Sequence, residues 1–269
     1  FTPTAPITDP GLWVRPDGLL DLEGDPKVAR GYGLTGHSTW SPGDELRECP
    51  LFNSEITSAG FKIYTPGAAL RTMPDGRKLP VLNLTRSFKI SGTSAGRSHV
   101  HIAATRPQNI KWVEFSDMAP SRMRVALPSI NIGVKGRYAL HFHETGDGAR
   151  GSVVEGCVFS HSGFWPGVTH NTHGVTWRNN IIYDTQAAGY IWDRHCITRD
   201  CIYDSNVVAW VKFSPNEDRG FRLAGFDLES GFGNEIRGDT LVVGVQGVLN
   251  SSGFTWPEGS SGIVVADND

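Results

Sequence analysis

The sequence predicts an all-β protein, and specifically a right-handed parallel β-helix whose coils repeat about every 22 residues. The prediction depends on three similar segments, which start at Ser152, Val175 and Ile197. Each segment has an alternating strand, a polar turn, a short apolar run and a second polar corner, and another short strand follows it. This period is too short for a helix-turn-helix unit and too regular for a sandwich, and the leucine spacing of leucine-rich repeats is absent.

Composition agrees with this fold class. The 269 residues include 32 glycines and 16 prolines, which favour short strands and turns over long helices. The net charge of −3 provides no basic surface for nucleic acid, and no apolar run approaches the roughly 18 residues of a membrane span. Cys157 and Cys201 occupy similar places in successive repeats, so we predict buried free thiols there. The chain begins with Phe1, and we expect a processed product or part of a longer protein.

The periodic pattern divides the chain into two predicted parts. Residues 1–75 are rich in proline, glycine and charge, and we expect them to form an irregular cap over the N-terminal end of the stack, because an open stack needs its edge protected. Residues 76–269 are predicted to form the parallel β-helix. Its less regular coils are predicted at 81–84, 87–90, 99–102 and 110–115 before the repeats, and at 234–243 and 262–265 after them.

The segment from Arg137 to Asp147 is the most informative for function. Its alternation places His141 and His143 on one face of a strand, opposite Leu140 and Phe142. If coils stack at the repeat spacing, with a longer turn at 147–151, then His170 falls on the next coil beside His143 and Trp192 follows on the coil after that. The residues expected near this lateral face are Arg137, Glu144, Asp147, His173 and Asp193. The alternating His99 and His101 are read as structural, and His161 as a corner residue that forms a turn hydrogen bond.

Four segments in order resemble a known family: Leu82–Arg86, Arg137–His143, His170–Gly174 and Asn180–Thr185. They are similar to the β-helix core of the cell-migration-inducing hyaluronidase and fibrocystin-like proteins over roughly residues 80–195. This chain has Ala139-Leu140 where the family has proline and isoleucine, and Asn171 where it has glycine. The resemblance implies a secreted or cell-surface protein whose partner is an acidic polysaccharide such as hyaluronan.

Three interpretations of the histidine-rich face stay open from the residues alone. In the first, it holds a divalent metal ion, and the candidates are zinc, copper, iron, nickel and calcium; neutral imidazoles with a carboxylate suit zinc, iron, copper or nickel. The ligands would be His141, His143, His170 and Asp193. In the second, cleavage needs no metal, and Glu144 or Asp147 donates a proton while a second carboxylate or His143 acts as base. In the third, the histidines are solvated or structurally hydrogen-bonded.

The leading functional hypothesis is an extracellular carbohydrate-active protein that cleaves or binds an acidic polysaccharide at this face. Arg137 would hold a substrate carboxylate, Trp192 would stack on a sugar, and a bound metal would assist the reaction. As an enzyme it would be a glycosidase or a lyase, and its catalytic residues would be Arg137, His143, Glu144 and Asp147. The alternatives are a non-catalytic β-helix adhesin or phage tail module, and a metal-binding protein without catalysis.

Overall fold

The fold is known from a computed structural model, which describes residues 12–24, 45–48, 63–64, 81–93, 96–120, 136–192, 197–212, 224–238, 240–245 and 263–268. Within these ranges the chain is almost entirely β-strand, and its helical structure is a single 3-10 turn at Asp147–Ala149. The prediction of an all-β fold with parallel sheets is confirmed. No helix in the described part of the chain has the length and apolar composition needed to cross a membrane.

Twenty of the strands form three parallel sheets, and three form a small antiparallel sheet. Sheet 1 contains β1 (Leu12–Val14), β7 (Val100–Ile102), β10 (Leu140–Gly146), β13 (Gly167–Thr172), β16 (Ala188–Ile191), β17 (Thr198–Arg199), β20 (Ala224–Phe232) and β23 (Ile263–Asn268). Sheet 2 contains β2 (Asp21–Glu23), β8 (Asn109–Lys111), β11 (Val153–Glu155), β14 (Thr176–Arg178), β18 (Ile202–Asp204) and β21 (Glu235–Arg237). Sheet 3 contains β6 (Phe88–Ser91), β9 (Val113–Ser116), β12 (Val158–Ser160), β15 (Ile181–Gln186), β19 (Val207–Lys212) and β22 (Leu241–Val245). The small sheet contains β3 (Leu46–Glu48), β4 (Ile63–Tyr64) and β5 (Val81–Asn83).

The chain visits the three parallel sheets in a fixed order. From β7 to β16 successive strands belong to sheets 1, 2 and 3 in rotation, and each strand pairs in parallel with the strand one round earlier. Equivalent positions are 23 residues apart between Cys157 and Asn180, and 26 residues apart between Asn180 and Asn206. The repeat is therefore slightly longer than the spacing read from the sequence, and it varies from round to round.

The main core lies between the three sheets and is built largely from aromatic side chains. Trp177 of sheet 2 lies 6.0 Å, ring centre to ring centre, from Phe142 of sheet 1 and 6.1 Å from Phe159 of sheet 3. Phe159 in turn stacks on Phe115, one strand earlier in sheet 3, at 4.9 Å. All four rings are buried. Because these rings bridge neighbouring strands of one sheet or different sheets, the described core is continuous across the three sheets.

Residues with a left-handed backbone form columns at the corners between sheets. The corner after sheet 2 has a positive φ in five successive rounds, at Trp112, Gly156, Asn179, Ser205 and Gly238. Next to it Asn180 is fully buried, accepts a hydrogen bond from the backbone N–H of Cys157 and donates one to Asn206. Asn179 and Asn180 thus form a corner whose hydrogen bonds run from one round to the next, in keeping with the tolerance of asparagine for a left-handed backbone.

The N-terminal strands depart from the sequence interpretation in two ways. β5, which the alternation at 81–84 suggested was an early coil, pairs antiparallel with β3, so that prediction is wrong. Leu82 and Leu84 instead pack on a second apolar cluster with Val158 and Ile181 of sheet 3. Conversely, β1 and β2 lie within residues 1–75 but pair in parallel with β7 and β8, as strands of sheets 1 and 2. The boundary at residue 75 itself stays a prediction.

Candidate functional site

Four imidazoles from three neighbouring strands meet on one face of sheet 1, and we call them the histidine cluster: His101, His141, His143 and His170. His143 of β10 lies opposite His170 of β13, and His141 lies opposite His101 of β7. In a parallel sheet paired residues point to the same side, and so do residues two apart on one strand. The prediction that His143 and His170 fall on neighbouring strands is therefore confirmed.

The rings of the cluster are close enough to share one ligand. The centre of the His143 ring lies 4.9 Å from that of His141, 4.8 Å from that of His170 and 4.8 Å from that of His101. One nitrogen from each of His141, His143 and His170 lies within 4.8 Å of the others. Nitrogens around a tetrahedral zinc ion lie about 3.4 Å apart, since the bonds are about 2.0–2.1 Å long. Small side-chain rotations would bring these three atoms to that separation.

The cluster has a buried floor and a partly open rim. His141 is 1% exposed and packs against the ring of Tyr138 at 4.7 Å, and His101 is also buried. His143 and His170 are half-buried and form the rim. A bound group would thus be held from below and reached from the side of His143 and His170.

A backbone carbonyl fixes the protonation of the floor. The carbonyl oxygen of Gly136 lies 2.8 Å from Nδ1 of His141 and 3.4 Å from Nδ1 of His101. A carbonyl only accepts, so the Nδ1 of His141 must carry the hydrogen and its Nε2 must carry the lone pair. That Nε2 is buried and has no hydrogen-bond partner among the described residues. Buried acceptors without partners are rare in folded proteins, and a metal ion is one of the groups that satisfies them.

Burial favours the neutral form of three imidazoles of the cluster, those of His101, His141 and His143. It lowers the pKa of His101 to about 4, with a further contribution from His143, and it lowers the pKa of His141 well below its ordinary value. The pKa of His143 is also lowered by burial and by the neighbouring His170. Only a neutral imidazole has a lone pair for a metal, so at neutral pH these three rings are in their ligating form.

The two predicted carboxylates lie in different environments. Glu144 has a left-handed backbone, a 48% exposed side chain and an oxygen 3.8 Å from Nδ1 of His143, so it stands at the rim. Asp147 begins the 3-10 turn and pairs with Arg150 at 2.7 Å and with Arg199 at 3.5 Å. The hydrogen bond from Arg150 lowers the pKa of Asp147, which keeps this carboxylate ionised at neutral pH. Asp147 is therefore poorly suited to the predicted role of proton donor.

The four remaining predicted residues each have a different outcome. Arg137 is half-buried and directly follows Gly136, beside the cluster. Trp192 is 1% exposed and its indole N–H donates to the hydroxyl of Tyr203 at 2.8 Å, so the expectation of a surface ring that stacks on sugar is wrong for this residue. Asp193 lies outside the described residues. His173 is hydrogen-bonded to the backbone N–H of Arg199 and is not part of the cluster.

Sequence reasoning missed His101 as a member of the cluster. It lies on the same face as His141 and its ring centre is 5.0 Å away, yet it was read as structural. The signal was present in the alternation of His99 and His101, which matches that of His141 and His143. It could not be used without knowing that β7 pairs with β10.

A comparison of the chain with models of protein families found no match, and a comparison with curated proteins found none.

Proposed function

We propose that this chain is a right-handed parallel β-helix that binds a divalent transition-metal ion at the histidine cluster and uses that site on an acidic extracellular polysaccharide. Support for the winding comes from the rotation of strands through three parallel sheets and from the columns of left-handed corner residues. Stacked coils with short corners give both features, whereas a sandwich gives neither. On this proposal residues 1–75 contribute β1 and β2 to the first round and otherwise cap the stack, and most of residues 76–269 form it.

The observation that carries the metal site is the Nε2 atom of His141. It is buried and lacks a hydrogen-bond partner among the described residues, and one ring nitrogen of His141 lies within 4.8 Å of one from each of His143 and His170. A structural histidine in a core normally satisfies both of its nitrogens. A metal ion would satisfy this one, and His143 and His170 would supply the next two ligands.

The polysaccharide is supported by the resemblance to the hyaluronidase and fibrocystin-like core and by the groups at the rim. Arg137, which directly follows Gly136 beside the cluster, would hold a substrate carboxylate, and the exposed Glu144 beside His143 would act as general acid or base. When bound, a divalent metal supplies Lewis acidity toward a substrate oxygen. Because the hydrogen bond from Arg150 keeps Asp147 ionised, Asp147 is unsuited to donate the proton in the metal-free route, which leaves that role to Glu144 among the described predicted carboxylates.

Elemental analysis of the purified protein, followed by a depolymerisation and binding screen on glycosaminoglycans, tests this function. We expect one divalent transition metal per chain, and loss of both metal and activity in His143→Ala with the fold retained. The matched control is His173→Asn, which removes an imidazole outside the cluster and should keep both. Failure of the wild-type protein to bind or cleave every polysaccharide in the screen would refute the proposed substrate class.

A further inference from the structure

We infer that His101 is a fourth imidazole ligand of this metal site, and that the carbonyl of Gly136 is the positioning group that presents the floor ligands. The inference rests on the metal site of the proposed function but not on its polysaccharide. It adds a ligand from a third strand. Strand β10 would contribute two imidazoles, and β7 and β13 would contribute one each.

The register of sheet 1 places His101 in the cluster. It lies directly opposite His141, and its ring centre is 5.0 Å from that of His141 and 4.8 Å from that of His143. These separations match the 4.8 Å between His143 and His170, two of the three residues whose nitrogens already converge. The His101 ring is thus about as close to the rings of His141 and His143 as the His170 ring is to that of His143.

One carbonyl orients both floor rings. The oxygen of Gly136 faces Nδ1 of His141 at 2.8 Å and Nδ1 of His101 at 3.4 Å, and an oxygen with two lone pairs can accept from both. With the hydrogens on Nδ1, the lone pairs are on the Nε2 atoms, at the far edges of the rings. Metal-binding histidines commonly donate their other N–H to a carbonyl in this way.

The backbone at position 136 explains why glycine stands there. Its φ is +86°, a conformation that residues with a side chain rarely adopt. A Cβ built at this position meets nothing closer than Cε1 of His141, at 4.0 Å. A Gly136→Ala change would therefore disturb the direction of the carbonyl through the backbone, without a steric clash in the cluster.

The ligand set also narrows the metal. Four neutral nitrogens suit copper, zinc or nickel, whereas calcium prefers six to eight oxygen ligands. Among the described residues, the carboxylate of Glu144 lies 3.8 Å from His143, and its side chain is 48% exposed, so the cluster offers few oxygen ligands. We therefore assign the site to a transition metal that prefers nitrogen ligands, namely copper, zinc or nickel, and exclude calcium.

Copper binding to metal-free protein tests the assignment. Affinity for Cu²⁺ is measured by chelator competition, and the number of ligating nitrogens by electron paramagnetic resonance. We expect four nitrogens in the wild type, three in His101→Ala, and an affinity at least about 10-fold weaker in that variant. Gly136→Ala should weaken binding by about 10–100-fold, the usual range when a metal-binding histidine loses the hydrogen bond that orients its ring, while the fold is kept.

Two further variants separate the loss of a ligand from a loss of folding or a nonspecific effect. His101→Phe keeps a ring of similar shape and lacks the nitrogens, so it should lose the fourth ligand even where His101→Ala unfolds. His173→Asn should bind copper as the wild type does. Unchanged affinity and nitrogen count in both His101 variants, or no copper binding by the wild type, would overturn the inference. A four-nitrogen site in a protein without action on polysaccharides would refute the proposed substrate and leave this inference standing.

Discussion

His161 joins the small antiparallel sheet to the parallel stack, and we predict that alkaline pH weakens this contact. Its Nδ1 lies 2.9 Å from a carboxylate oxygen of Asp184, and its Nε2 lies 3.6 Å from one of Glu45, which directly precedes β3. Two carboxylates facing two ring nitrogens favour the doubly protonated ring. The hydrogen bond with Asp184, and then that with Glu45, raises the pKa of His161 to about 9. The sequence-based reading of His161 as a corner hydrogen-bonding residue is confirmed.

The size of the effect follows from the two pKa values. A rise from 6.5 to about 9 corresponds to at most about 3.4 kcal/mol of folding stability, at 1.36 kcal/mol per pKa unit. The side chain is 32% exposed, so solvent screening reduces this to about 1–2 kcal/mol. Because the folded-state pKa is the higher one, the contribution is complete below about pH 6.5 and is lost as the pH rises through about 9.

Urea denaturation at pH 6 and pH 10 measures this contribution. We expect the wild type to lose about 1–2 kcal/mol more of its free energy of unfolding between these values than His161→Gln loses. Other groups, including Lys212, which also pairs with Asp184, titrate in both proteins and cancel in the difference. His173→Asn serves as the control and should behave as the wild type does. Equal pH dependence in wild type and His161→Gln would refute the reasoning.

Three further predictions concern the stack and the cluster. Asn180→Ala should lower the free energy of unfolding by about 3 kcal/mol, because it removes three buried hydrogen bonds, including the one to Asn206. Phe159→Ala should lower it by about 3–5 kcal/mol, since the ring is fully buried and packs near Trp177. Zinc at 100-fold above its dissociation constant should raise it by about 2.7 kcal/mol in the wild type and not in His141→Phe.

Each of these has a control and a contrary result. The exposed Leu19, changed to alanine, should alter stability by less than about 0.5 kcal/mol, and a Phe159→Ala variant with as small an effect would contradict the proposed core. Asn180→Asp keeps the acceptor oxygen and loses the donors, so it should also be destabilised. Wild-type stability in both Asn180 variants would show that the three hydrogen bonds of the Asn180 side chain do not stabilise the fold. Equal zinc stabilisation of wild type and His141→Phe would place the metal elsewhere.

The sequence predicts the parallel β-fold because its two signals are local. Alternation of apolar residues marks each strand, and recurrence of the pattern marks the next round, as at Val153 opposite Thr176 and Thr176 opposite Ile202. Pairing partners are not local. The alternation at 81–84 is as regular as that of strands in the parallel sheets, yet β5 pairs antiparallel with β3. Alternation identifies a half-buried strand but does not determine which strand pairs with it.

The site was predictable only where the repeat continues. His143 and His170 belong to successive rounds, and the repeat spacing together with a longer turn at 147–151 was enough to predict their pairing. His101 precedes His141 by 40 residues, well beyond one repeat, and its pairing could not be read. Trp192 failed for a simpler reason, since it is two residues after the buried Tyr190 and shares its inward face.

Parallel strand pairing explains how this fold would bring the ligands of the proposed metal site together, and why another element would be needed to orient them. Paired residues on neighbouring strands are held about 4.8 Å apart by the strand spacing, which is also the ring separation between His143 and His170. A metal needs ligand nitrogens about 3.4 Å apart, so the rings must tilt toward one another and present the correct nitrogen. The 62° between the planes of His143 and His170 supplies a tilt at the rim. Strand register does not determine which ring nitrogen of the buried His141 carries the hydrogen. The carbonyl of Gly136, which precedes β10, determines it by accepting a hydrogen bond from Nδ1.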